Sequence, residues 1–89
     1  MSAEARLEEL GITLPPPPKQ MGVYKLLVQT GNLGYLSGHG PFLDDGGVMT
    51  GRLGDDVSLE EGQTVARQVG LNLLATLRNE LGSLDRVGR

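Results

Sequence analysis

The sequence predicts a small α+β protein, and three observations support this prediction. A capped amphipathic pattern over residues 58–82 predicts one long helix. Two alternating segments on either side of Gly31-Asn32 predict a β-hairpin. A serine-capped segment ending at Gly11 predicts a short N-terminal helix. At 89 residues the chain is expected to form a single domain, with the long helix packed on the sheet.

The long helix is predicted from its ends and its apolar face. Ser58 and Glu61 have the spacing of a capping box, and Gly82 suits the left-handed position after a helix. About 23 helical residues would extend roughly 35 Å. Apolar residues recur every four positions and form an apolar stripe: Val65, Val69, Leu73, Leu77 and Leu81. Polar residues that fall largely off the stripe are expected to face water: Arg67, Gln68, Asn72, Arg78 and Asn79.

The N-terminal part, residues 1–22, is predicted to hold a helix and a proline-rich segment. Ser2 can cap a helix over Ala3 to Leu10. Short helices are marginal alone, so a partly frayed surface helix is expected. Residues 15–18 are four prolines, which form a stiff polyproline II rod. This rod is interpreted as a spacer, with a ligand for an aromatic groove as the alternative.

The middle part, residues 23–57, is predicted to hold the hairpin and a loop. Tyr24 to Thr30 predicts the first strand, with Tyr24, Leu26 and Val28 on an apolar face and a mixed face opposite. Leu33 to Ser37 predicts the returning strand, in which Gly34 leaves room for a close approach to the backbone.

The segment from Gly38 to Val57 is rich in glycine and aspartate and is predicted to be a loop with a short strand at 48–50. Four aspartates here lack calcium-loop spacing, so a solvated loop is favoured over a metal site: Asp44, Asp45, Asp55 and Asp56. Residues 83–89, after the helix, are predicted to form a turn that leads into another strand.

Composition limits the function classes. The net charge of −3 opposes binding to nucleic-acid phosphates, and the eight basic residues are scattered. The absence of cysteine removes disulfides and thiolate metal sites, and a single histidine removes multi-histidine sites. No apolar run approaches a membrane span, and the N-terminus lacks a signal-peptide pattern. A cytoplasmic location without a metal, cofactor, nucleic acid or membrane is the expectation.

An ordered set of motifs resembles the first half of the Rid family, also called the YjgF or reactive-intermediate deaminase family, which includes proteins labelled liver perchloric-acid-soluble ribonuclease. The set comprises Tyr24, Thr30-Gly31-Asn32-Leu33, Tyr35-Leu36-Ser37-Gly38, Pro41, Glu60-Glu61-Gly62-Gln63 and Leu84-Asp85-Arg86-Val87. The resemblance covers nearly all of this chain but only about half of a typical member.

The resemblance implies a truncated chorismate-mutase-like subunit that assembles in threes, with ligand clefts between subunits. Many members hydrolyse imines or enamines to oxo acids. Active members hold the substrate carboxylate with an arginine and position water with a late glutamate, both in the second half. The matching positions lie beyond Arg89, so the chain alone is expected to be inactive. A non-catalytic oligomeric module that binds a small carboxylate is the alternative, and a ribonuclease is the least favoured.

The resemblance also implies ligand-binding residues along one wall of the cleft: Tyr24, Ser37, Gly38 and His39. His39 stands where many members have glutamine. Each has a simpler interpretation: a packed strand tyrosine for Tyr24, a strand-end hydroxyl for Ser37, and a loop histidine without chemistry for His39. Replacement of the missing arginine by Arg86 or Arg89 in a rearranged assembly stays open, although nothing in the spacing favours it.

Self-association is predicted because the hairpin is too short to cover the apolar stripe of the long helix. Strands of six or seven residues reach only about 20 Å, whereas the helix is longer, so part of the apolar stripe is expected to stay uncovered in a monomer. Free sheet edges also attract further strands. A homodimer or a homotrimer is expected, and the sequence does not separate these two.

Overall fold

The computed structural model describes residues 2–17, 25–43 and 47–88 and confirms the α+β prediction. Helix α1 (Ala3–Leu10) comes first, and the hairpin strands β1 (Leu27–Thr30) and β2 (Leu33–Leu36) follow. Helix α2 (Leu59–Leu81) is the longest element, and a 3₁₀ turn (Leu84–Arg86) comes after it. Tyr24, Asp44, Asp45 and Arg89 lie outside the described residues.

The ends of α2 form as predicted from the local sequence. The Glu61 N–H donates to Ser58 Oγ at 3.1 Å, and the Ser58 N–H donates to Glu61 Oε1 at 3.1 Å. This reciprocal pair satisfies two backbone donors that the first helical turn leaves without partners. Gly82 ends the helix with φ of 86°, a conformation that favours glycine.

The two strands pair as an antiparallel hairpin in the predicted register. Leu27 lies opposite Leu36, and Thr30 lies opposite Leu33 across the Gly31-Asn32 turn. Gly31 has φ of 60°, as tight hairpin turns require. The strands are four residues each, shorter than predicted at their outer ends.

The two faces of the hairpin have different surroundings. The mixed face lines a groove with Leu77 and Leu81 of α2: Leu27, Gln29, Gly34 and Leu36. The apolar face is open, with exposed fractions of 47 % for Val28, 57 % for Leu33 and 61 % for Tyr35. The glycine-thinned face is therefore the one turned toward the helix.

Helix α1 is anchored to the far end of α2 rather than detached on the surface. The Glu4 carboxylate accepts hydrogen bonds from Arg78 Nη2 at 2.7 Å and from the Leu84 N–H at 2.8 Å. Leu7 and Leu84 are both buried, which places a small apolar core where the ends of the chain meet.

The rest of the described chain has little regular structure. Within 47–57, the strand predicted at 48–50 is reduced to a single bridge between Phe42 and Val48. Asp56 Oδ1 accepts a hydrogen bond from the Arg52 N–H at 2.7 Å and so closes a local turn. The predicted turn after α2 is the 3₁₀ turn. Over the described ranges, none of the helices is long and apolar enough to cross a membrane.

Candidate functional site

The candidate site is the segment that leaves β2, residues 37–42, where three of the four predicted ligand-binding residues lie in sequence. The Ser37 N–H donates to the Leu26 carbonyl at 3.0 Å and continues the hairpin ladder by one rung. Gly38 is exposed and His39 is half-buried. Tyr24, the fourth, lies outside the described residues.

Both ring nitrogens of His39 have partners. Nδ1 lies 2.8 Å from the Ser37 carbonyl oxygen, and Nε2 lies 2.7 Å from Thr76 Oγ1 on α2. Because a carbonyl oxygen only accepts, Nδ1 carries the proton. In the neutral ring Nε2 is then the acceptor, and the Thr76 hydroxyl donates to it. This geometry fixes the tautomer and ties the end of the hairpin to α2.

A polar row on α2, consisting of Gln68, Asn72 and Thr76, holds the 37–42 segment. Asn72 Nδ2 donates to the Gly40 carbonyl at 2.9 Å and to the Phe42 carbonyl at 3.1 Å. Gln68 Nε2 donates to the same Phe42 carbonyl at 2.8 Å. Carbonyls in an irregular segment lack strand or helix partners, and the polar row supplies those partners.

The prediction that Asn72 and Gln68 face water is wrong. Asn72 and Thr76 are each only 1 % exposed, whereas the residues of the apolar stripe are half-buried. The polar row runs one position before the stripe at the same four-residue spacing. The available sequence signal was that these three side chains are polar and uncharged, while fully solvated helix faces usually carry charges.

An apolar cavity of about 360 Å³ lies beside the segment at Pro41. Its lining includes Met49, Leu53, Val57, Val65 and Ala66. None of the described residues that line it is charged. The cavity can accept an apolar group, but a carboxylate there would have no cation from this lining.

Two carboxyl groups with a lowered pKa, those of Glu4 and Glu61, lie in the first turns of α1 and α2 and not in the 37–42 segment. Hydrogen bonds from Arg78 and then from the Leu84 N–H lower the pKa of Glu4. The Ser58 N–H and then its hydroxyl lower the pKa of Glu61. Both carboxylates act as structural acceptors. Within 2–17, 25–43 and 47–88, no cluster of three His, Cys, Asp or Glu residues could hold a metal ion.

Comparison with known proteins gives two similar chains. Protein TCP17 of Trypanosoma cruzi is 40 % identical over 85 residues, which is 96 % of this chain and 53 % of that protein. The crystal structure of a "putative endoribonuclease" from Shewanella oneidensis MR-1 superposes with a TM-score of 0.90 at 31 % identity. The superposition covers all of this chain and 59 % of the Shewanella chain. No family model matches. The chain thus spans about half the length of these relatives.

Proposed function

Because the chain superposes over its whole length on part of a Rid-type (YjgF) fold, we propose that it supplies one wall of a small-molecule cleft of the imine-deaminase lineage. The α+β prediction and the resemblance to a fragment of a chorismate-mutase-like subunit are confirmed. The similar proteins are about twice as long, so the activity of a whole subunit is carried over to this chain only as part of the proposal.

The observation that carries the proposal is the attachment of the 37–42 segment to α2. Burying an amide or a hydroxyl is costly unless its hydrogen bonds are satisfied. Asn72 and Thr76 are the most buried of the described residues, and both hydrogen-bond to one short segment. Two apolar side chains at these positions would form a core without buried polar groups to satisfy. Local departures of this kind are typical of functional sites, where a backbone must keep one shape.

The chemistry explains why we propose no turnover by the 89-residue chain alone. Water adds to the imine carbon, the adduct loses ammonia, and an oxo acid remains. This reaction needs a cation that holds the substrate carboxylate and a group that positions the water. Within the described chain, the side chains and backbone groups that hydrogen-bond to the 37–42 segment are all neutral. The cation must therefore come from outside these described contacts.

An assay with 2-aminoacrylate generated in situ tests this proposal. The chain alone is expected to release pyruvate at the background rate. Ser37→Ala and Tyr24→Phe are the matched variants, since the family resemblance assigns both residues to the ligand cleft. Pyruvate release above background that either substitution abolishes would show that the chain is active, contrary to the proposal.

We also propose that the cleft is closed by further copies of the chain. The open hairpin face of Val28, Leu33 and Tyr35 is apolar and lies on the side away from α2. Apolar patches of this kind are covered in stable assemblies. A dimer and a trimer both cover this face, and sedimentation velocity distinguishes them by mass.

A binding module without turnover is the second candidate, and the geometry of His39 favours it. Both ring nitrogens are already engaged, so this histidine has no free position for proton transfer. Thermal unfolding with millimolar 2-oxo acids tests binding, because a ligand of the native state raises the melting temperature. An unchanged melting temperature at saturating pyruvate and 2-oxobutanoate would count against this candidate.

Ribonuclease activity, which the description of the Shewanella protein names, is not what we propose here. The chain has a net charge of −3 and one histidine. Contact with RNA phosphates needs clustered lysine and arginine, and binding then weakens steeply with salt. A fluorescence anisotropy titration with single-stranded RNA is expected to show no salt-sensitive binding at micromolar protein.

A further inference from the structure

The proposed function gives no role to the apolar cavity beside Pro41. We call it the Pro41 cavity, and it is lined by Pro41, by residues of the loop at 49–57 and by the first two turns of α2. Its volume is about 360 Å³, within the range of roughly 300–1,000 Å³ that is typical of small-molecule sites. A cavity of this size next to the proposed ligand wall is a candidate for part of a ligand site.

The loop wall of the Pro41 cavity is held by a hydrogen bond and by contact with α2. The Met49 N–H donates to the Pro41 carbonyl at 3.2 Å, which ties the loop to the 37–42 segment. The Leu53 side chain packs on Gly62 so closely that a side chain at Gly62 would collide with it. The walls of the cavity are therefore held together by contacts within the described chain.

The lining offers no partner for a charge. Thr50 is the one polar side chain among the described residues that line the cavity. The Pro41 carbonyl already accepts from Met49, and the Val57 N–H donates to the Arg52 carbonyl at 3.1 Å. A charged group would lose its water there and gain few hydrogen bonds in return, which is costly. The cavity therefore favours a hydrocarbon group.

The Pro41 cavity lies close to residues that the family resemblance assigns to the ligand. Two peptide units separate His39 from Pro41 and span at most about 7 Å, a distance that an extended aliphatic side chain covers. We propose that the Pro41 cavity binds the apolar side chain of a 2-imino or 2-oxo acid whose polar end lies along the 37–42 segment. This inference rests on the proposed function and adds a substrate class to it. Acids with an aliphatic or aromatic side chain of several carbons are favoured over 2-aminoacrylate, whose side chain is a single carbon.

A homologous series of straight-chain 2-oxo acids, from pyruvate to 2-oxooctanoate, tests this proposal by calorimetric titration of the chain. Each added methylene that enters the cavity is expected to tighten binding about fourfold. Ala66→Leu fills part of the cavity and is expected to remove most of this gain, while pyruvate binds as before. Thr64→Leu is the matched control, since Thr64 is an exposed residue of α2 that does not line the cavity.

Methyl resonances give a second measurement that does not depend on a variant. Met49 and Val65 line the cavity, and their ¹H–¹³C methyl resonances are expected to shift with 2-oxooctanoate and not with pyruvate. Binding that is independent of chain length, or equal gains in Ala66→Leu and Thr64→Leu, would overturn this inference and leave the proposed function intact. Failure of every acid in the series to bind would instead contradict the proposed ligand wall, and the inference would fall with it.

Discussion

Glu4 and Asp85 exchange helix caps across nearly the whole length of the chain. The Glu4 N–H, in the first turn of α1, donates to Asp85 Oδ1 at 2.9 Å. The Glu4 carboxylate in return accepts from the N–H of Leu84, at the start of the 3₁₀ turn, at 2.8 Å. Each acidic side chain thus satisfies a backbone donor at the start of the other's element. Arg78 binds the same Glu4 carboxylate and joins α2 to this cluster.

This cluster predicts a loss of stability in acid. The pKa of Glu4 is lowered in the folded state by Arg78 and by the Leu84 N–H. A lowered carboxyl pKa adds stability that is complete above the unfolded value of about 4.3 and is lost as pH falls through the folded value. Glu4→Gln is expected to lower the melting temperature at pH 7, and the difference from the native chain should shrink below pH 4.

Glu8→Gln is the control for this prediction, because Glu8 is an exposed glutamate on the same helix. It should leave the melting temperature within about a degree of the native chain, in line with ordinary surface substitutions. Melting temperatures measured by circular dichroism from pH 7 to pH 3 for the native chain and both variants test this prediction. Parallel pH profiles for the native chain and Glu4→Gln would show that the Glu4 carboxylate is not a stabilising acceptor.

Asn72→Leu is predicted to destabilise the fold. The substitution removes the side-chain donor to the half-buried Gly40 carbonyl and one of the two side-chain donors to the Phe42 carbonyl, which Gln68 Nε2 still reaches. An unsatisfied buried polar group costs about 1–3 kcal/mol. Asn79→Leu changes the same residue type at an exposed position of α2 and should cost far less. Urea unfolding gives both free energies, and equal costs for the two variants would contradict the assigned role of Asn72.

Local chemistry explains which parts of the fold could be predicted from the sequence. The capping box at Ser58, the turn at Gly31 and the stop at Gly82 each depend on residues a few positions apart. Their geometry is determined before any tertiary contact forms. The predicted outer ends of the strands are less accurate, because the length of a strand depends on the elements that pack beside it. Neither the alternation of side chains nor the turn residues specify those neighbours.

Long-range pairing explains which parts could not be predicted. Thr76 meets His39 across 37 positions, and Asn72 meets Gly40 across 32. The helical pattern separates side chains by polarity alone, so it predicts that Asn72 faces solvent. Only the backbone carbonyls of the 37–42 segment make that position favourable for an amide. The Ser37, Gly38 and His39 assignments came from the family resemblance, and Thr76 had no counterpart in that set.

The His39 ring predicts a spectroscopic signature. Since Nδ1 donates to the Ser37 carbonyl, long-range ¹H–¹⁵N spectra at alkaline pH should show the Nδ1–H tautomer. Thr76→Val removes the hydroxyl that donates to Nε2 and is expected to shift the Nε2 resonance while the fold is kept. Thr64→Val serves as the control, because Thr64 donates to the Glu60 carbonyl on an exposed part of α2. A spectrum dominated by the Nε2–H tautomer would refute this arrangement.

The open hairpin face predicts where copies of the chain meet. Val28 and Tyr35 lie directly opposite each other on that face, and both are about half exposed. Val28→Glu with Tyr35→Glu places two like charges in the proposed contact, where burial of a carboxylate is strongly unfavourable. The double variant is expected to be monomeric by sedimentation velocity at concentrations where the native chain is a dimer or a trimer.

Leu59→Glu distinguishes this contact from a general effect of added charge. Leu59 is the most exposed of the large apolar residues in the described chain, at 73 %, and it begins α2, where a carboxylate is compatible with the helix dipole. This variant should therefore keep the native mass. If the native chain is itself monomeric at micromolar concentration, or if Leu59→Glu dissociates the assembly as fully as the double variant, the hairpin face is not the contact between copies.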